Sequence, residues 1–274
     1  MPCVVLKRRP ALGERYRSSH CGLAFGLNYT TDRCCHVRAY TSRDPSPVTL
    51  SPQSPATVLS RSDVAASAKV LFAPERGWRA QLQAWRPAIC PFERLLPWVP
   101  QGATVLDIGC GAGLLLGILA RSGRVSHAVG LDGDVDAVAR ATRMSMQVPA
   151  ATLEFVHVSD TRAWPTSQVD VVLLIDVLHH ISPGAQDEFL RAALARVRPG
   201  GRFIYKDMAA KPLWYALANR AHDLVLAHQW IHYVLPARVI DQAIGSGFGL
   251  HHQEHVRRKW YAHDLLVFER PVRS

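Results

Sequence analysis

Three glycines at alternate positions follow an acid in the run Val105-Leu-Asp107-Ile-Gly109-Cys110-Gly111-Ala-Gly113. Glycine leaves no Cβ between the backbone and an approaching ligand. A helix predicted from Leu114 would aim its free N–H groups and the positive end of its dipole at that ligand. The spacing is G-x-G-x-G, with Leu114 next, and so departs from the dinucleotide fingerprint G-x-G-x-x-G. Asp107 would repel a pyrophosphate, yet it can pair with the ammonium of an amino-acid moiety. Nineteen residues after Gly113, Gly130-Leu-Asp132-Gly133-Asp134 closes a second strand-like run. A carboxylate there can accept hydrogen bonds from both vicinal hydroxyls of a ribose. Loop and acid together describe a cradle for a nucleoside that carries an amino acid.

Further along, the apolar run Val169–Ile175 is followed by Asp176-Val-Leu-His179-His180. Imidazole titrates near neutrality, so His179 and His180 suit a general base. Other arrangements carry less. His228 and His232 stand at i, i+4 without a nearby Glu motif, and Cys34-Cys35-His36 lacks the second ligand pair of a zinc site, so no metal is expected.

The elements that must position these groups read as alternating strands and helices. Strands are predicted at Ala103–Ile108, Ala128–Leu131, Leu153–Val158, Val169–Ile175 and Arg202–Tyr205. Helices are predicted at Leu114–Ala120, Val135–Met146 and Gln186–Val197, the last stopped by Pro199-Gly200-Gly201. A final helix, Ala237–Ile244, precedes two strands that lack a helix between them and should pair as a hairpin. Alternation of this kind implies an open, largely parallel α/β sheet with helices on both faces. Between the fifth strand and the last helix, Asp207–Leu235 is unusually long. Its apolar residues, Leu213, Trp214, Leu217, Ala221, Leu224 and Val225 among them, recur at helical spacing, which reads as a lid over the substrate pocket, a surface that touches lipid, or an additional core helix.

Composition sets outer bounds. The chain has 274 residues, 48% hydrophobic, with a net charge of +10, about half of it before residue 69. Thr41–Ser67 is dominated by Ser, Pro, Thr, Ala and Asp, so residues 1–68 are expected to be a largely disordered basic tail and 69–274 the folded domain. The tail's Arg- and Ser-rich, acid-poor character also loosely fits an organelle-targeting segment, and an over-extended gene start would have the same composition. Absence of a secretory apolar region, and only Cys90 and Cys110 after the tail, favour a reducing, cytoplasmic setting. No run is apolar and long enough to span a bilayer.

Taken together, these residues resemble the class I S-adenosylmethionine (SAM)-dependent methyltransferase family over roughly residues 95–270, with four motifs in the family's order. The resemblance implies a Rossmann-like sheet of seven strands, order 3-2-1-4-5-7-6, with a helical insertion after the fifth. It implies that Asp107, Gly109, Cys110, Gly111 and Gly113 form the cofactor loop, that Asp132 with Gly133 holds the ribose, and that Ser159 and Asp160 read the adenine amino group. Asp176 is placed beside the methionine moiety, and His179 and His180 beside the acceptor. The Arg198-Pro199-Gly200-Gly201 turn is another family mark. The activity so implied is methyl transfer from SAM to a small-molecule or lipid-like acceptor, releasing S-adenosylhomocysteine; the apolar face of Asp207–Leu235 adds the expectation of peripheral membrane contact. RNA or protein methylation fits the basic charge, but neither an Asn-Pro-Pro-Tyr-type tetrapeptide nor an appended nucleic-acid module is present. A catalytically silent SAM-binding subunit is the remaining alternative, and the two histidines count against it.

Overall fold

The computed structural model describes residues 59–209, 232–259 and 261–272. The chain divides into two units, Met1–Ser51 and Pro52–Ser274, and everything described belongs to the second. Its strands are β1 (Thr104–Ile108), β2 (His127–Asp132), β3 (Thr152–His157), β4 (Val169–Ile175), β5 (Val197–Met208), β6 (Gly249–Arg258) and β7 (Tyr261–Glu269). They form one sheet in the order β3-β2-β1-β4-β5-β7-β6, as expected. The first five run parallel, and β7 lies antiparallel between β5 and β6.

The period-two alternation of strand side chains divides the apolar residues between two cores. Val105, Val171, Leu173, Ile204 and Leu265 point to one face, where helices α1 (Arg61–Leu71) and α4 (Leu114–Arg121) cover them together with Met144 of α5 (Val135–Ser145). Their neighbours Leu106, Val172, Leu174, Phe203, Tyr205 and Leu266 point to the other. That face is covered by α6 (Gln186–Leu194) and α7 (Pro236–Gly245). Helices α2 (Trp78–Ile89) and α3 (Phe92–Leu95) link α1 to β1. With both faces covered, the carboxyl ends of the parallel strands are left as the place for a ligand.

The structure corrects four boundaries. The expected start of the fold at residue 69 falls inside α1, which begins at Arg61 behind a capping box in which Ser60 and Asp63 exchange bonds. Val64, Ala68 and Leu71, at i, i+4 and i+7, are at most 1% exposed. A stripe that narrow, set among serines and alanines, is lost in a composition average. The remainder of the expected tail, and the segment from 210 to 231, lie outside the described residues, and with them most of the expected lid and the helical insertion. Asp207 and Met208, read as the start of the lid, are the end of β5. β5 is also longer than expected at its start. Val197 already pairs with Val169, and a register irregularity absorbs Pro199-Gly200-Gly201 before Arg202 joins Val171. Helix α6 accordingly ends at Leu194 and not at Val197.

Candidate active site

The glycine loop is built by backbone conformations that other residues resist. Gly109, Gly111 and Gly113 have φ of 76°, 57° and 77°. The N–H groups of Gly109 and Cys110 both donate to the Leu131 carbonyl, at 2.7 and 3.0 Å, which folds the loop back against the end of β2. β1 and β4 are neighbours, with Ile108 opposite Leu174, so the loops that follow them emerge together. A Cβ on Gly109 would lie 2.3 Å from Val177 Cγ2, and one on Gly113 would lie 2.8 Å from both Met144 Cε and Phe155 Cζ. At Gly111 the nearest atom would be Arg86 Nη1 at 4.0 Å. That glycine faces the open side of the loop.

Two acids meet here. Asp132 Oδ2 accepts the Gly111 N–H at 2.7 Å and Oδ1 accepts the Asp134 N–H at 2.8 Å, which ties the end of β2 to the loop. Asp107 is 3% exposed. Burial, and then the charge of Asp132, push its carboxyl up to about 7, against the pull of Arg86. Cys110 is buried, and its Sγ donates to the Gly111 carbonyl at 3.6 Å. Gly133 adjoins the loop after β3, where its carbonyl lies 3.1 Å from His157 Nε2 and the Asp132 carbonyl accepts the Val158 N–H. Ser159 is exposed. Asp160 caps the short turn Thr161–Ala163, and the Arg162 guanidinium and N–H hold its carboxyl down to about 2. In this structure the carboxylate of Asp160 is thus engaged by its own neighbour.

The loop after β4 carries the second group. Asp176 has φ of 57°, a conformation that Asp tolerates better than most residues. Its N–H donates to the Lys206 carbonyl at 2.8 Å, and the Lys206 ammonium donates to both carboxylate oxygens at 2.7 and 2.8 Å. Burial alone would raise the Asp176 carboxyl. Lys206, with His263 and Arg86, instead holds it far below the usual range. His179 is 2% exposed, and its Nδ1 is hydrogen-bonded to Asp207 Oδ1. Asp207 also accepts from the His179 N–H at 3.3 Å, the Met208 N–H at 2.7 Å and the Tyr205 hydroxyl at 3.3 Å. Tyr205 stays a neutral donor, because burial and the Asp207 charge move its phenol well above the ordinary value. His180 is exposed, with its ring centroid 4.0 Å from that of His179. Loss of hydration and then the neighbouring His179 lower its imidazole to about 4.

Comparison with known proteins decides the family. A family described as "Methyltransferase domain" matches residues 78–253, well over half of the chain. The chain belongs to the class I SAM-dependent methyltransferases. The ubiquinone biosynthesis O-methyltransferase of Psychrobacter arcticus is 28% identical over 181 residues, 61% of this chain and 69% of that protein. The protein of the same name from Acinetobacter baumannii is 24% identical, over 69% of this chain and 87% of its own. Among solved structures, the magnesium protoporphyrin IX methyltransferase of Synechocystis with bound S-adenosylhomocysteine superposes with a TM-score of 0.56 at 16% identity, covering 77% of this chain and 97% of that one. That likeness shows the fold. The cofactor of this methyltransferase is SAM, whose methyl group its reaction transfers.

Sequence reasoning missed three residues of this site. Arg86, on α2, places Nη2 3.6 Å from Asp176 Oδ2 and, with Gln83, lines the narrow cavity beside Asp107 and Gly109. Lys206 and Asp207 lie near the end of β5, and the only signal for them is a charged pair after the short apolar run Phe203–Tyr205. Lys206 is 1% exposed, so Lys206→Met should leave Asp176 without its main partner and destabilise the enzyme by about 3 kcal/mol. A fall in thermal midpoint of about 6–12 °C is expected. Adding Asp176→Asn should restore part of it, and an unchanged midpoint in the single variant would show the pair to be dispensable.

Proposed function

We propose that this methyltransferase acts on a hydroxyl of a hydrophobic small molecule, with His179 as the base that takes the hydroxyl proton and Asp207 as the residue that positions His179. The buried His179–Asp207 pair carries this reading. A carboxylate on Nδ1 fixes the imidazole ring and favours its protonated form, which is what a base needs when it receives a proton. Oxygen as the acceptor atom is supported by the relatives named O-methyltransferases. A weakly acidic hydroxyl gains from a base, whereas an amine need not. His180, whose imidazolium is disfavoured, suits contact with the acceptor better than proton transfer. The buried free thiols Cys90 and Cys110 are in keeping with a reducing compartment such as the cytoplasm. No helix among the described residues is long and apolar enough to cross a membrane.

SAM, when bound, supplies an electrophilic methyl on a sulfonium, so the chain's own work is to orient donor and acceptor and exclude water. The left-handed glycines and the buried, raised Asp107 carboxyl fit its amino-acid end. In this reading Gly109, Cys110, Gly111 and Gly113 let the backbone pass close to the methionine moiety, Asp107 takes its ammonium and Arg86 its carboxylate. Asp132, beside Gly133, takes the ribose hydroxyls, exchanging its bond to Gly111 for them. Ser159 and Asp160 border the adenine. Asp176 holds Arg86 in place.

The role of Asp107 has a pH signature. Its folded value of about 7 lies above the unfolded 3.8, so its contribution to stability is full below about pH 4 and lost as pH rises through 7. Pairing with an ammonium needs the ionised form. SAM affinity should therefore rise about tenfold from pH 6 to pH 8, with proton release seen by calorimetry in buffers of different ionisation enthalpy. Asp107→Asn should bind more weakly and lose that dependence. Equal wild-type affinity at both pH values would remove the ammonium role. The acceptor itself is tested by presenting labelled SAM with phenols and catechols, amines and carboxylates of matched hydrophobicity. Label in hydroxyl compounds is expected, and label confined to amines would sink the proposed base.

A further inference from the structure

Helix α2 turns three large apolar side chains to the solvent. Trp78, Leu82 and Trp85 fall at i, i+4 and i+7 and are 65%, 43% and 62% exposed. Together they bare roughly 300 Å² of contiguous apolar surface, the scale at which a patch marks a contact site. Single exposed apolar residues are ordinary, but two tryptophans on one helical stripe are not.

Basic residues outnumber acids around the stripe. No acid occurs anywhere in α2. Lys259 places its ammonium 5.3 Å from the centre of the Trp85 ring. Trp85 also borders a groove of about 790 Å³ between α1 and α2, whose charged lining is Arg61, Lys69, Arg76 and Glu75. The acids of this region are already committed: Glu75 to Arg143 at 2.7 Å, Glu93 to Arg258, and Asp63 to the N-cap of α1. A second copy of the chain would bring the same cationic face and be repelled.

We propose that this face docks on the surface of an anionic phospholipid bilayer. Trp78, Leu82 and Trp85 enter the headgroup region, where a ring that is apolar with one N–H donor is best accommodated. Lys259, Lys69, Arg61 and Arg76 meet the lipid phosphates. α2 has 12 residues, too few to span, so it lies in the plane of the interface. Its inner side carries Gln83 and Arg86 against the glycine loop. Docking therefore holds the cofactor end of the site beside the membrane, where a hydrophobic acceptor would partition. The purpose of docking rests on the hydrophobic-acceptor reading, but docking itself is measured without methyl transfer, so either can fail alone.

The test is co-sedimentation of the full chain with vesicles of phosphatidylcholine alone, or with about a third phosphatidylglycerol. Binding to the anionic vesicles should be at least about tenfold tighter and weaken with salt. Trp78→Ser/Trp85→Ser should lower it about tenfold or more, and Lys69→Glu/Lys259→Glu should remove the preference for anionic lipid. Met146→Ser, which alters an apolar residue 68% exposed elsewhere, should bind as wild type. Unchanged SAM affinity and thermal midpoint keep these variants interpretable. Wild-type binding that ignores lipid charge, or a tryptophan double variant that binds vesicles normally, overturns the proposal. So does a wild-type dimer, seen by sedimentation velocity, that the tryptophan variant dissolves, because the stripe would then belong to a second copy.

Discussion

Gly109→Ala is expected to weaken SAM binding more than 100-fold and to lower the thermal midpoint by about 6–12 °C. Two costs add. At φ of 76° a Cβ is strained by about 1–2 kcal/mol. That Cβ would also lie 2.3 Å from Val177 Cγ2, well inside contact distance, so the loops after β1 and β4 must part. A shift of about 1 Å between them is enough to misplace a ligand held by both. At about 2–4 °C per kcal/mol, a total near 3 kcal/mol gives the stated fall. The steric part is separable: adding Val177→Ala removes the clashing methyl and should recover some stability and affinity. Gly111→Ala is the companion case. Its Cβ would find nothing nearer than Arg86 Nη1, so it should cost only the backbone strain in stability while still obstructing the ligand side of the loop. Calorimetry and thermal melts on the four proteins measure both effects. Gly109→Ala binding SAM with wild-type affinity would break the link between this loop and the cofactor.

Asp207→Asn should lower kcat about 10²–10³-fold while leaving SAM affinity within a factor of about two, and His179→Ala should lower it at least as much. Asparagine keeps the shape of Asp207: with its oxygen at the Oδ1 position it still accepts the Met208 N–H, and its NH2 at the Oδ2 position can donate to the Tyr205 hydroxyl oxygen in a reversed bond, leaving only the 3.3 Å His179 N–H contact unmade, so a folding defect is not the expected cause. What it loses is the charge that favours His179 in its protonated form. The sign of the pH effect follows. Activity rises with pH as the imidazole loses its proton, and without Asp207 that proton leaves at lower pH. The acid limb of the rate profile should therefore move to lower pH as the plateau falls. A purely structural role for Asp207 would lower the rate without moving the limb. Unchanged turnover in both variants would take His179 out of the chemistry, and with it the preference for a hydroxyl acceptor.

These residues differ in how far they were legible before folding. Gly109, Gly111, Gly113 and Asp132 were readable because a strand, a turn and a helix N-terminus are contiguous in sequence, and covalent spacing dictates what they can cradle. The parallel alternation and the closing hairpin were readable because helices separate the first strands and none separates the last two, whereas the strand order was implied by the family resemblance. Asp160 shows the limit of such reading: an acid after a strand serves a ligand or caps the next turn by the same geometry, and here it is bonded to Arg162. The start of the fold was misplaced because α1 earns its place through three small or medium apolar residues, visible only when they are seen against the sheet.

The residues alone specify the alternation of strands and helices, the closing hairpin and the glycine run beyond the first parallel strand, because each is encoded in contiguous spacing. Which side chains join the glycine loop depends on long-range packing. Arg86 reaches the loop from a helix that precedes β1. The β4–β5 register sets Ile175 opposite Lys206, which brings Lys206 to Asp176 and Asp207 to His179. Those pairings join residues 28 to 30 positions apart. No local pattern encodes them, because they follow from which strands become neighbours and in what register, and that is set by the burial of both faces of the whole sheet.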